Sequence, residues 1–304
     1  GAYVSDGSAS DVYDIQTIYT AAEAKEFKYI QSADVITIVH PLHPPQELIR
    51  TSDTSWSFSE VAFSPNVSRV TSITSSGGPA GTTVFNYQVT AVNSEGIESL
   101  PCRTSTAYNI SAVTKANPVS VTCATHPFVT GDVVDIGGGM SGMDEIFDKQ
   151  FTIKVVSTTV FELVNTNGTD FTAWVSGGSV YACYTQRTIA TPTTANPVTI
   201  SWAQPSDLSA IEFRVYREDE GVFTLLGITS RANFKDIGQS VDGFTQPPIA
   251  RYPFLGANNY PSVVSYVQQR LTFANTLNDS EKIFMSKTSD FKNFSISNPV
   301  QAND

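Results

Sequence analysis

The sequence predicts an all-β protein: a partial β-propeller with blades from both ends of the chain, interrupted by an inserted β-sandwich that itself carries a nested small β-barrel. Three observations predict it. Only 15% of the 304 residues are charged, and Ser, Thr, Asn and Gly fill the gap, the composition of many short strands joined by turns. Apolar residues alternate with period two over several stretches. A short antiparallel meander near the start of the chain returns near its end. The 18 Phe, 12 Tyr and 3 Trp supply buried cores and argue against disorder.

Taken in order, Thr20-Ala21-Ala22-Glu23 reads as a capping box, in which hydroxyl and carboxylate each satisfy a backbone N–H, and it predicts a short helix over residues 21–30. Val35-Ile36-Thr37-Ile38-Val39 is a β-branched strand. His40-Pro41-Leu42-His43-Pro44-Pro45 is expected to be irregular, because prolines remove ladder donors. Glu47-Leu48-Ile49-Arg50 and residues 56–63 complete a meander of three strands. Near the other end, residues 270–274 and 282–286 are strands about a turn at residues 277–280. Ser52-Asp53-Thr54-Ser55-Trp56 and Ser289-Asp290-Phe291-Lys292-Asn293-Phe294 then occupy comparable places. Repeated meanders ending in an aromatic suggest propeller blades. Two blades cannot close a ring and would leave open edges, so the chain is expected to be part of a longer one or to pair its edges elsewhere. Its start at Gly1 reads as cut, processed or replaced.

Between the blades, residues 84–93 alternate, with Phe85, Tyr87, Val89 and Ala91 on one side. Residues 197–202 form a strand with an inward Trp202. Residues 211–217 and 222–227 form a hairpin about Glu218-Asp219-Glu220-Gly221, and residues 233–236 are a further strand. A third unit is nested here. Asn117-Pro118-Val119-Ser120-Val121-Thr122 echoes Asn196-Pro197-Val198-Thr199-Ile200-Ser201. Strands are expected at residues 132–136, 150–155, 160–163 and 172–174, with Gly131 and Gly137-Gly138-Gly139 as turns. The domain reading is residues 1–64 and 251–304 for the blades, 65–116 and 184–250 for the sandwich, and 117–183 for the barrel.

Eighteen basic against 29 acidic residues give a net charge of −11, which disfavours a nucleic-acid grip built on phosphate neutralisation. No apolar run approaches the roughly 20 residues of a membrane span, and no signal peptide opens the chain. Cys102, Cys123 and Cys183 are too few and scattered for a disulfide framework or a four-ligand zinc site. Free thiols are expected, with one bridge as the alternative.

No residue stands out as catalytic, cofactor-binding or metal-binding. His40-x-x-His43 offers half a metal site, but its proline-rich turn favours a structural role. His126, before a proline, reads the same way. No His has a recognisable nucleophile setting, and Gly139-Met140-Ser141-Gly142-Met143 fails the nucleophile-elbow pattern at its last position. Two acid pairs, Asp132 with Asp135 and Asp144 with Glu145, are candidates for glycoside hydrolysis, though acids are common in such turns. Glu218-Asp219-Glu220 reads as a solvated hairpin tip too short to wrap calcium. Gly137 to Gly139 lacks the Lys and Ser/Thr of a phosphate loop. The Asn-x-Ser/Thr sequons at Asn66, Asn109, Asn167, Asn278 and Asn293 match chance in such a composition.

Three resemblances add to this. "YQVTAVNSEGIES", "PVTISWAQP", "FRVYRE" with "FTLLGIT", and "NFKDIG" resemble strands of a fibronectin type III sandwich, in an order that favours a single permuted module. The nested segment resembles the small barrel named after the first catalytic cysteine half-domain of ubiquitin-activating enzymes (FCCH-like), in shape only. Most specifically, "YIQSADVITIVHPLHPPQELIRTSDTSWSFSEVAFSP", residues 29–65, resembles the signature "QSADVxxxVHPxxPPxxLxRxxxxxW" of tail nozzle proteins of short-tailed bacteriophages, the tail tubular protein B or packaged-DNA stabilisation family. Residues 261–295 resemble the family's next blade, with Asn275 where Gly is common and Met285-Ser286-Lys287 where an aromatic or Gly is frequent.

The resemblance implies a non-enzymatic virion protein of the phage tail, assembled in the host cytoplasm without cofactors. It implies a homo-oligomeric ring, commonly a hexamer, that extends the DNA channel, retains packaged DNA and lets it pass at ejection. Implied partners are adaptor or portal-side proteins, tail tip or fibre proteins, and passing DNA without sequence-specific binding or membrane insertion. Acidity suits such a conduit, because a wall that held phosphates would stall transit. Two rival classes stay open. One is a carbohydrate- or receptor-binding module using exposed Trp174, Tyr181 and Tyr184. The other is an envelope-polysaccharide-degrading enzyme using Asp132 and Asp135.

Overall fold

The computed structural model describes residues 15–53, 55–205 and 210–300. Thr54 of the first comparison stretch and residues 1–14 of the first blade segment lie outside the described residues. The described chain is all-β. Its only helical turns are two 3-10 turns, Glu23–Lys25 and Asp144–Ile146. The strands run β1 (Lys28–Ser32), β2 (Val35–His40), β3 (His43–Ser52), β4 (Ser55–Glu60), β5 (Thr71–Gly77), β6 (Thr83–Asn93), β7 (Tyr108–Val113) and β8 (Ser120–Cys123). They continue as β9 (Val133–Ser141), β10 (Lys149–Ser157), β11 (Val160–Leu163), β12 (Ser176–Ala182), β13 (Thr185–Ile189), β14 (Val198–Ala203), β15 (Ala210–Asp219) and β16 (Val222–Thr229). The last are β17 (Asn233–Asp236), β18 (Gln246–Ile249), β19 (Val263–Val267), β20 (Arg270–Ala274), β21 (Ile283–Met285) and β22 (Ile296–Asn298).

Two compact units result. The first combines the described parts of Gly1–Ser64 with Tyr252–Phe294; the second holds Pro65–Arg251 with Ser295–Asp304. In the first unit, β1-β2-β3-β4 and β19-β20-β21 form two antiparallel sheets. They share one core: Val39 of β2 is buried with Phe254, Leu271, Phe273, Phe284 and Phe294, and Phe63 packs against them. The rings meet mostly edge to face, Phe63 with Phe273 at 5.8 Å and Phe254 with Phe273 at 4.8 Å between centroids, a geometry favoured by the ring quadrupole. Polar links join the same chain ends. Lys292 Nζ donates to buried Glu47 Oε2 at 2.6 Å, and burial raises the Tyr266 hydroxyl above an ordinary tyrosine while the side chains of Ser32 and Thr37 offset part of that shift. The β19–β20 hairpin closes on Gln268 and Gln269 at φ 49° and 60°, the left-handed pair that a two-residue hairpin with native twist requires.

Three expectations for this region are corrected. The capping box forms, with Thr20 N–H donating to Glu23 Oε2 at 2.8 Å and Glu23 N–H to Thr20 Oγ1 at 3.4 Å. It caps a single 3-10 turn, however, and no helix spans residues 21–30. Residues 28–32 instead form β1, whose Lys28 to Ser32 pair with Val39 to Val35 of β2; sheet pairing outweighs weak local helix preference. The meander therefore has four strands. The segment expected to be irregular narrows to a turn at Pro41 and Leu42. His43, Pro44 and Pro45 belong to β3, and the prolines fall at a register shift between Ile38 and His40, where no ladder donor is missed. Pro45 still accepts from Val61 N–H at 2.9 Å.

The His pair serves the same local structure. Buried His40 accepts the Leu42 N–H on Nδ1 at 3.2 Å. His43 Nε2 lies 3.2 Å from Glu23 Oε1, and the Tyr19 ring packs edge-on to His43 at 5.3 Å. Hydrogen bonds from Thr20, first its backbone and then its side chain, lower the Glu23 carboxyl from 4.5 to about 2, with His43 contributing less. A depressed carboxyl stabilises the fold above its unfolded value and loses that contribution as pH falls through about 2. Thr20→Ala removes the side-chain contribution and keeps the larger backbone one, so it is expected to raise the Glu23 midpoint only part of the way from about 2 toward 4.5 in an NMR titration; an unmoved midpoint would show that the hydroxyl contributes nothing.

In the second unit, the sheets β13-β6-β15-β16 and β17-β14-β5 enclose one core containing Tyr87, Val89, Trp202, Phe213 and Val215. Trp202 is inward and 5% exposed. Tyr87 Oη donates to fully buried Asp236 at 2.9 Å, and Arg217 donates to the same carboxylate. The strands β10-β11-β8-β7-β12-β9 close a barrel. It recruits β7, ahead of residue 117, and its last strand is β12; the strand expected at residues 172–174 does not form. The Gly137-Gly138-Gly139 run is no turn. It lies inside β9, where Gly137 pairs with Ser179 and Met140 with Gly177 of β12, across a register shift. Gly138 and Gly177 take φ 79° and 72°, and a Cβ on Gly177 would lie 2.6 Å from the Gly139 carbonyl oxygen, so the strands approach too closely for a side chain. β22, from the segment expected in the second blade, pairs with β18 in this unit. All three cysteines are free and buried. No described helix is long and apolar enough to cross a membrane.

Candidate functional site

Within the second unit, a cavity of about 500 Å³ opens beside the start of β9, the β15–β16 hairpin and β18. Asp132 enters it from the turn before β9. There, Gly131 takes φ 100°, and the Asp132 carboxylate receives the Val129 N–H at 2.9 Å and the Tyr184 hydroxyl at 3.0 Å, both on Oδ2. Oδ1 has no hydrogen-bond partner among the described residues. Burial first, and the Glu218 charge last, push the Asp132 carboxyl above the usual carboxylate range. Tyr184 is raised well above an ordinary tyrosine by burial and then by Asp132.

Glu218 lines the cavity from β15. Its Oε2 accepts Asn86 Nδ2 at 2.5 Å. The two-residue turn at Glu220 and Gly221, both left-handed at φ 49° and 85°, pairs Glu218 across the hairpin with Phe223. Phe223 in turn lies 6.2 Å from the Tyr184 ring. Pro247, Pro248 and Ile249 of β18 add apolar wall. Among the described residues, no Lys, Arg or His lines this cavity. A second, smaller cavity of about 330 Å³ is lined by Ser and Thr hydroxyls with Tyr108 and Tyr184 and, among the described residues, by no charged one.

The members of the two candidate acid pairs are engaged separately. Asp132 lies in the turn before β9 and reaches the cavity, whereas Asp135 is on β9. Asp135 is fully buried between Arg69 Nη2 at 3.1 Å and Arg103 Nη1 at 3.5 Å, with Gln150 Nε2 at 3.4 Å. Glu145 receives the Thr172 N–H and hydroxyl at 2.7 and 2.8 Å, clamping the segment before β12, while Asp144 is exposed. Of the acidic tip, Asp219 and Glu220 are exposed, but Glu218 is half-buried in the cavity, which the reading of a solvated tip missed. The signal was the hairpin register, which sets Glu218 beside Phe223.

The aromatic trio is no exposed platform. Tyr184 is 8% exposed, Tyr181 is half-buried with the Arg103 guanidinium 4.6 Å from its ring centroid, and Trp174 is half-buried with its indole N–H on the Gly177 carbonyl at 3.1 Å. His126 is buried against Phe128 at 4.9 Å, and burial lowers its pKa. Among the described residues, no group of three or more His, Cys, Asp or Glu is placed to hold a metal ion.

No family model matches the chain, and no curated protein matches it. Among solved structures, it is similar to a phage phi92 endosialidase at 12% identity and a TM-score of 0.20, covering 89% of this chain. The chain spans 46% of the length of that structure. The all-β character of the chain, with its antiparallel sheets and closed six-stranded barrel, is read from the coordinates.

Proposed function

We propose that this chain is a structural subunit of a short-tailed bacteriophage tail, a nozzle protein that oligomerises as a ring around the DNA channel and performs no catalysis. The observation that carries the reading is the joining of the two signature-bearing chain ends, residues 29–65 and 261–295. Their strands build one compact unit around shared phenylalanines. In this reading the four-stranded and three-stranded sheets are neighbouring propeller blades, and the second unit is a fibronectin-like sandwich with its barrel, an outgrowth of the ring. Net charge supports it: at −11, a ring of such subunits presents repulsive potential to passing phosphates, so DNA slides without being held. Partners in this reading are the adaptor above the ring and tip or fibre proteins below.

The test is electron microscopy of the chain mixed with a tail adaptor ring. Annular particles with a central channel are the expected result. A monodisperse monomer that ignores the adaptor contradicts the proposal.

A further inference from the structure

We propose that the cavity beside Asp132, Glu218 and Phe223 is a binding site for a neutral saccharide. This rests on the cavity alone and is independent of the nozzle reading. At about 500 Å³ it is of the size that holds small-molecule ligands. Its walls and its open hydrogen-bonding capacity together select the ligand. Phe223, Pro247 and Pro248 offer C–H and ring surface against which the apolar face of a sugar ring packs. Across the hairpin, Phe223 pairs with Glu218, so platform and acceptor share one face of the β15–β16 ribbon.

The carboxylates are each half-satisfied. Asp132 Oδ2 takes its two protein donors and Glu218 Oε2 takes Asn86. Oδ1 and Oε1 have no hydrogen-bond partner among the described residues. Half-buried carboxylate oxygens seek donors, and with no basic residue lining the cavity among the described residues, a ligand's hydroxyls can take the place of water there. Sugar hydroxyls do so without charge. An anionic sugar would set a third negative charge against two in a site walled by apolar groups, where Coulomb repulsion is poorly screened.

The experiment is saturation-transfer NMR and calorimetry on the whole chain. The probes are maltose, cellobiose and lactose, their counterparts with a terminal uronic acid, and spermidine. A neutral disaccharide is expected to bind, with its ring C–H protons receiving the strongest saturation. Its uronic counterpart is expected to bind at least about tenfold more weakly. Phe223→Ala and Glu218→Gln are each expected to weaken it about tenfold or more; the second variant keeps its shape and so guards against misfolding of the first. The proposal is overturned if none of the three binds below about 20 mM, if Glu218→Gln binds as the parent does, or if the uronic sugars or spermidine bind preferentially.

Discussion

Phe273→Ala is expected to destabilise the unit built from the two chain ends by about 3–5 kcal/mol, the cost of emptying a large aromatic site in a packed core. Phe273 is fully buried and touches rings from three other stretches: Phe63 before the insertion, Phe254 after it, and Phe294 at 6.1 Å. None of these neighbours can swing in to fill the gap, because each is itself wedged edge-on against another. Small domains have a total stability of about 5–15 kcal/mol, so the loss is a large part of what holds this unit. Phe273→Leu keeps most of the volume and is expected to cost under about 1.5 kcal/mol. Chemical denaturation followed by hydrogen exchange, which reports the two units separately, measures both. Equal midpoints for the Ala and Leu variants would contradict the packing argument.

Asp135→Asn is expected to cost the second unit about 3–5 kcal/mol, because it leaves two guanidinium groups facing a buried site without their counter-charge. Arg69 and Arg103 are 19% and 28% exposed and converge on a carboxylate that is fully buried. The asparagine is isosteric, so the effect isolates charge from volume. Arg69 keeps Asp148 at 2.5 Å, a partner 62% exposed and hence weakly coupled. For a unit of this size the loss corresponds to a fall in melting temperature on the order of 10 °C. Asp148→Asn is expected to cost less than about 1 kcal/mol. Calorimetric scans of the three proteins check this, and a neutral Asp135→Asn would show that the guanidiniums find water instead.

Local signals in the sequence were read well where one physical rule governed. Period two located β6 and β15, and Tyr87 and Val89, set on one side by that pattern, are both in the core. The Glu-Gly pair that takes left-handed φ closed the β15–β16 hairpin where it was expected. Failures came where two rules competed. The reciprocal bonds of Thr20 and Glu23 are real, but Lys28 to Ser32 had sheet pairing available and did not continue as a helix. Prolines at residues 44 and 45 argued for a break, yet a register shift absorbed their missing donors. The triple glycine marked close strand approach, a meaning that composition alone does not separate from a turn. The cavity was least legible of all. Asp132, Asn86, Glu218 and Tyr184 lie on four separate segments, and only the closed barrel and sandwich bring them together.

The claim on which the rest depends is that segments more than 200 residues apart, near residue 39 and near residue 273, fold as one cooperative unit. Hydrogen exchange on Phe273→Ala tests it most directly. Amides of β2 are expected to lose protection together with those of β20, while β6 in the second unit keeps its own. Parent-like protection in β2 alongside an unprotected β20 would contradict it.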